Sequence, residues 1–534
     1  MKRRHFLRDS TALGIGVVGS LAGCGGGGGG APAPAPTPAP TPAPTPAPVP
    51  PVNGPAWWGF GRDPQHSAVS AIATQDFNRI AWSAPVDLAP QYTASGALLA
   101  HYGSPVITTK NTVLLPVKTG AADGFRIDAR IGGNGAVVWS EASDYSLPAH
   151  NWFPSYNITL TPSGRLYAPG AGGKLLMRGD ADAAAGTFQP VVFYGADTYA
   201  AASAEFNQTV FINTPVTSDA QGNLYFGFVV TGTNPAALVS GFARVDPTGA
   251  GSWVGASAAA DDPAIAKPAM NCAPALSPDG TVLYVAVNTA PMPGVRQTGY
   301  LLALDAATLA FRARVRLIDP LSGLPANVAD NGTSSPSVAA DGRVFFGVLE
   351  STFGTHNARG WLLQFDPVLA GARVPGGFGW DVTPSIIPAA MVPQYTGTST
   401  YLIAVKYNNY AGIGSGDGSN RLAVLDPNST QADTISSMTI MREVITILGP
   451  TFASGTSGPV EEWCINTMAA DPVTRSIIVN NEDGVLYRWH LPTNSFSQNI
   501  RLTAGLGEAY TPTAVGADGA VYAINNATVF SIAA

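Results

Sequence analysis

Cysteine is nearly absent from this chain. Three among 534 residues exclude a disulfide-stapled framework, and no Cys-x-x-Cys, His-Glu-x-x-His or Cys-x-x-Cys-His spacing offers a zinc site or a haem attachment. Charge is scarce too: 12% of residues are charged, with 28 Lys and Arg against 35 Asp and Glu, so no basic surface for nucleic acid is expected. A helical protein of this length would carry far more Glu, Lys and Arg on its exposed faces. No Gly-x-Ser-x-Gly elbow is present, and the glycine-rich run 412–418 follows no βαβ pattern, so it reads as a loop and not a phosphate cradle.

What the chain has instead is turn residues, 60 Gly and 45 Pro, between short apolar runs. Residues 272–316 hold the clearest unit. Ala273-Pro274-Ala275-Leu276-Ser277 leads through Pro278-Asp279-Gly280 into Thr281-Val282-Leu283-Tyr284-Val285-Ala286, and a polar loop precedes Gly299-Tyr300-Leu301-Leu302-Ala303-Leu304-Asp305. Apolar runs of this length, bounded by Asp-Gly turns, are strands joined by tight turns. Eight copies start near positions 105, 154, 215, 274, 336, 384, 466 and 512, spaced 46 to 82 residues apart. Propeller blades of four strands need about 40–50 residues, and longer intervals accommodate loops. Residues 411–420 and 428–437 are read as such loops. The fold expected is an all-β, eight-bladed β-propeller, with seven blades as the alternative.

Residues 1–24 read as an export signal with a basic start (Lys2, Arg3, Arg4, Arg8), an apolar stretch too short to span a membrane, and Leu21-Ala22-Gly23-Cys24, which resembles a lipobox. Cys24 is then the expected lipidation site, and the outer membrane facing the periplasm the expected location. Arg3-Arg4-His5-Phe6-Leu7 also resembles a twin-arginine motif, leaving that export route and the general one both open. The signal carries a net charge of +3, so the mature chain stands at −10 against −7 for the whole. Residues 25–54 read as a disordered Gly- and Ala-Pro-rich linker, extended by its prolines into a stalk. The propeller domain covers 55–534. Ile80-Ala81-Trp82-Ser83 is the expected closing strand, pairing with the last sheet around 521–532 to leave no open edge. Cys272 and Cys464, in the fourth and seventh copies, should stand across the ring from each other as free buried thiols.

Trp57-Trp58-Gly59-Phe60-Gly61-Arg62-Asp63-Pro64-Gln65-His66-Ser67 resembles the entry segment of proteins with PQQ-like β-propeller repeats. Gly299 to Asp305 resembles their blade signature, with fainter copies at 360–366 and 421–426. That group contains both the assembly lipoprotein BamB and quinoprotein dehydrogenases, so the resemblance implies fold more than function.

In a propeller the segments entering each innermost strand ring one mouth of the channel. The candidates there are His101, His150, Asn151, Trp152, Glu205, Asn271, Asn331, Asp381, Glu462, Trp463, Glu508 and Tyr510. Carboxylates, amides, imidazoles and aromatic faces of this kind suit a small polar ligand or an envelope protein partner. The leading expectation is a monomeric, lipid-anchored binding or scaffolding module with no metal and no cofactor. Its alternative, implied by the resemblance, is a periplasmic oxidoreductase using PQQ and Ca²⁺, with Glu205, Asn271 and Asp381 as oxygen ligands by residue type alone. A carbohydrate-active or lyase-type propeller enzyme is the second alternative.

Overall fold

The computed structural model describes residues 55–534 except 95, 97, 151–153, 333 and 506–511. The export signal, Cys24, the linker, and the candidates Asn151, Trp152, Glu508 and Tyr510 lie outside the described residues.

Eight antiparallel sheets succeed one another along the chain and close into a ring, an eight-bladed β-propeller. Their innermost strands are Val106–Ile107, Thr159–Leu160, Thr217–Ser218, Ala275–Leu276, Ser337–Val338, Ser385–Pro388, Ala469–Asp471 and Ala514–Val515. Small hydroxyl residues recur on these strands because they tie one blade to the next. Ser218 Oγ donates to Leu160 O at 2.6 Å, Thr217 Oγ1 to Pro274 O at 2.6 Å, and Ser337 Oγ to Pro384 O at 2.9 Å. Second strands such as Thr112–Lys118 and Tyr401–Tyr407 are buried along their whole length, between neighbouring blades on both faces. The outermost strand Ser495–Arg501 alternates exposed and half-buried, which is the period-2 pattern of a half-solvated edge.

Strand Arg79–Pro85 is the outermost strand of the eighth blade, paired antiparallel with Thr528–Ala533. Trp82 fixes it further: its Nε1 donates to Gly132 O at 2.6 Å in the first blade, and its ring packs 5.8 Å from that of Tyr522. Both cysteines of the propeller are buried and neither is in a disulfide, and burial pushes the Cys272 thiol up to about 12.

Three features depart from the sequence reading. The second, third, seventh and eighth inner strands begin two to five residues after their Pro or Asn anchors, where the other four begin one residue after theirs. Residues 428–432, expected in a loop, continue the strand Arg421–Ala432, which forms a long hairpin with Thr439–Leu448 across a bulge between Asp426 and Thr430. The fifth blade has three strands, its outer position held by the bridges Phe365–Ala372 and Leu362–Gly376.

The entry segment does more than lead into the ring. Each inner strand has one edge paired within its blade and the other turned toward the axis, and residues 57–75 bond to those inner edges in turn. Ile107 N donates to Trp57 O at 2.9 Å, Leu160 N to Trp58 O at 2.7 Å, Leu276 N to Pro64 O at 2.8 Å and Val338 N to Gln65 O at 2.9 Å. Ile386 N then donates to Ser67 O at 3.2 Å and Ala470 N to Ala68 O at 2.9 Å, and Gln75 N donates to Gly519 O at 2.8 Å in the turn after the eighth inner strand. This segment therefore closes one end of the channel, near the last residues of the inner strands. The expected mouth lies at the segments entering these strands, such as Asn271 five residues before Leu276, on the order of 15 Å along the chain at about 3.3 Å per residue.

Candidate functional site

His66 sits in that closed end, fully buried, with Nδ1 2.6 Å from Pro336 O and its ring edge-on to Phe60 at 5.1 Å. Burial lowers its pKa to about 4, only partly offset by the Pro336 carbonyl and Asp63, so the ring is neutral at physiological pH.

At the other end the candidates are set by backbone conformation. Asn271 and Asp381 occupy equivalent positions, three residues before Pro274 and Pro384, and both have left-handed backbone with φ of +63° and +58°. Asn and Asp tolerate that conformation better than other side chains, which explains their presence there. Asn271 joins five blades. Its Nδ2 donates to His101 Nδ1 at 3.4 Å and to Asp330 O at 3.5 Å, its Oδ1 accepts from Ser155 N at 2.9 Å, and its own N donates to Asn213 O at 3.0 Å. Side chains from the first and fourth blades thus meet directly. Asp381 is fully buried, 3.7 Å from Lys406 Nζ on the second strand of the same blade.

The other candidates separate. Glu205 was expected at the mouth, but it is exposed on the short helix Ser203–Thr209, and strand Val210–Ile212 stands between that helix and the inner strand. His150 is half-buried, its Nδ1 2.7 Å from Pro148 O. Asn331 is half-buried in the turn closed by Gly332 N and Ala329 O, while its neighbour Asp330 is held by Lys267, Asn288 and Gln297. Trp463 is a core residue. It is fully buried against Tyr487 and Phe496, and Asn408 clamps its backbone by accepting from its N at 3.2 Å and donating to its O at 3.1 Å.

Two cavities at the mouth measure about 10 and 20 Å³, the first lined by His101, Tyr102 and Tyr156, the second by Met270, Cys272 and Trp380. Each has room for one water. A far larger groove of about 1070 Å³ lies between the outer parts of the second and third blades, lined by Phe193, Tyr194, Leu238 and Trp253.

One constellation was missed in the sequence. Glu462 and Cys464 come together with Glu482, their ligand atoms all within 4.8 Å of one another. The Glu-x-Cys spacing is a signal, since alternate residues of an extended segment share a side. Glu482 was hidden because it arrives from the hairpin between the second and third strands of the same blade, Ser476–Asn480 and Val485–His490.

No protein-family model matches the chain, and no curated protein matches it. Similar solved structures exist. A europium-containing methanol dehydrogenase shares 10% identity at a TM-score of 0.55, over 88% of this chain and 89% of its own. A quinohemoprotein alcohol dehydrogenase from Pseudomonas putida HK5 shares 11% at 0.52, over 89% of this chain and 76% of its own. BamB from Moraxella catarrhalis shares 11% at 0.40, over 85% of this chain and 97% of its own. The chain is an eight-bladed β-propeller that shares its fold with PQQ-type repeat proteins, and at these identities the likeness extends to the fold alone.

Proposed function

We propose that this protein is a binding or scaffolding module of the bacterial cell envelope, a propeller anchored through a lipid on Cys24 that presents its mouth-side rim to an envelope protein or a small polar ligand. The observation that carries this reading is that the polar groups of the mouth are engaged with one another. Asn271 alone joins His101, Ser155, Asn213 and Asp330, which suits a rigid platform better than a deep reaction chamber. The oxidoreductase alternative needs hard oxygen ligands converging on one ion. Glu205, Asn271 and Asp381 do not fit that role: the first is exposed on a helix, the second is bonded to Ser155 N, and the third pairs with Lys406.

Purified protein incubated with PQQ and Ca²⁺ is expected to gain no bound chromophore and to reduce no dye in the presence of alcohols or sugars. A bound chromophore with alcohol-dependent dye reduction would replace this reading by the oxidoreductase. A photocrosslinker at Asn331 is expected to give a saturable adduct in intact cells, and its absence would count against the mouth as the contact face. For the anchor, Cys24→Ser should shift the protein from the membrane to the soluble envelope fraction; unchanged partition would remove it.

A further inference from the structure

We infer that the Thr-Pro-Ala-Pro repeats at residues 37–48, which lie outside the described residues, dock in the groove between the outer parts of the second and third blades. Pro at every second position selects polyproline II, a helix whose pyrrolidine rings and unbonded carbonyls are recognised by grooves of aromatic side chains. The inference does not depend on what the mouth binds.

The groove has that chemistry. Trp253 stands 36% exposed on Gly251–Gly255, the outermost strand of the third blade, and Tyr194 is half-buried on the loop after Gln189–Val191, the outermost strand of the second. Both rings are held from beneath. Phe193 packs edge-on to Tyr194 at 4.9 Å and against Phe228 at 4.6 Å, Phe228 packs edge-on to Trp253 at 6.1 Å, and Tyr194 Oη donates to Gly172 O at 2.7 Å. Walls fixed in this way lose little freedom when a proline ring stacks on them. Pro190 and Pro235 extend the apolar lining, and Trp253 Nε1 supplies a donor for a polyproline carbonyl.

Charge and reach select the occupant. None of the residues lining the groove is charged, and neither is any residue from 25 to 54, so no ion is desolvated on either side when the two meet. The described chain starts close by: Trp57 N donates to Ile107 O at 3.2 Å in the first blade, and Trp58 O accepts from Leu160 N at 2.7 Å in the second. From that inner strand to the outermost strand of the same blade is three sheet spacings, about 15 Å. Residues 37–48 precede Trp57 by 9 to 20 positions, about 28–62 Å of polyproline II at about 3.1 Å per residue, which covers that distance. Tethering at this range holds the segment at an effective concentration on the order of millimolar, so weak stacking contacts suffice.

The test is photocrosslinking within the purified full chain. A benzophenone amino acid in place of Ala196, an exposed residue lining the groove, should link to residues 37–48 of the same chain. Trp253→Ala should lower the yield of that link tenfold or more. Exchanging residues 37–48 for a Gly-Ser sequence of equal length should do the same while leaving every propeller residue in place, so loss of the link there reports docking and not unfolding or mere proximity. The inference is overturned if no link to residues 37–48 forms, if the link joins two chains instead of one, or if its yield survives either Trp253→Ala or the Gly-Ser exchange.

Discussion

Deleting residues 55–85 should abolish cooperative folding and drive the protein into aggregates. The deletion removes strand Arg79–Pro85, leaving Thr528–Ala533 as an unpaired edge in the blade where the ring closes. An open edge of that kind is a template for pairing with other chains. It also removes the lacing of residues 57–75 across the inner edges of six blades and onto a turn of the eighth, together with the fully buried Trp57 and the buried Trp58 and Phe60. Burying a large aromatic is worth about 3–5 kcal/mol by truncation, so these losses together exceed the usual 5–15 kcal/mol stability of a domain. Scanning calorimetry and size-exclusion chromatography check this: a single cooperative melt of a monomeric deletion variant would refute the closure and the lacing together.

Asp433→Ala should lower stability by about 1–3 kcal/mol, because it leaves the buried His356 ring without its carboxylate partner. His356 is fully buried, with Nε2 3.1 Å from Asp433 Oδ2, Nδ1 2.9 Å from Gly360 O, and its ring flat on Trp361 at 3.8 Å. The pair joins the loop after strand Val344–Val348 in the fifth blade to the long hairpin of the sixth. Burial alone would raise the Asp433 carboxyl, but the hydrogen bonds from His356 and Ser436 and the charges of His356 and Arg359 hold it at about 2. The folded pKa lies below the unfolded value of about 4, so the pair's contribution is complete above pH 4 and is lost as pH falls toward 2. Denaturant titrations between pH 2 and 6 should show the wild type losing stability over that window and Asp433→Ala losing less. Parallel curves would refute the assignment.

The repeat was legible because it is local. Strand-turn-strand units such as 275–305 announce themselves by apolar runs and Asp-Gly turns, and the closing strand was read at Ile80-Ala81-Trp82-Ser83, inside the strand Arg79–Pro85, from the need to seal an edge. The gathering of polar residues before the inner strands was legible in part: His101 and Asn271 do meet, three blades apart. Glu205 and Trp463 were misplaced for one reason. Sequence position gives distance from a strand, but helix Ser203–Thr209 turns one residue outward and the packing of the seventh blade turns the other inward.

By itself, the sequence determined an all-β ring of eight blades, two buried cysteines outside any disulfide, and an excess of acidic over basic residues. Only the tertiary structure decided which end of the channel is closed and that Glu482 joins Glu462 and Cys464. Periodicity is written within about fifty residues, and a propeller's blades can be counted from it. Contacts such as His66 to Pro336, 270 residues apart, exist only once the ring has closed and fixed which loops face each other.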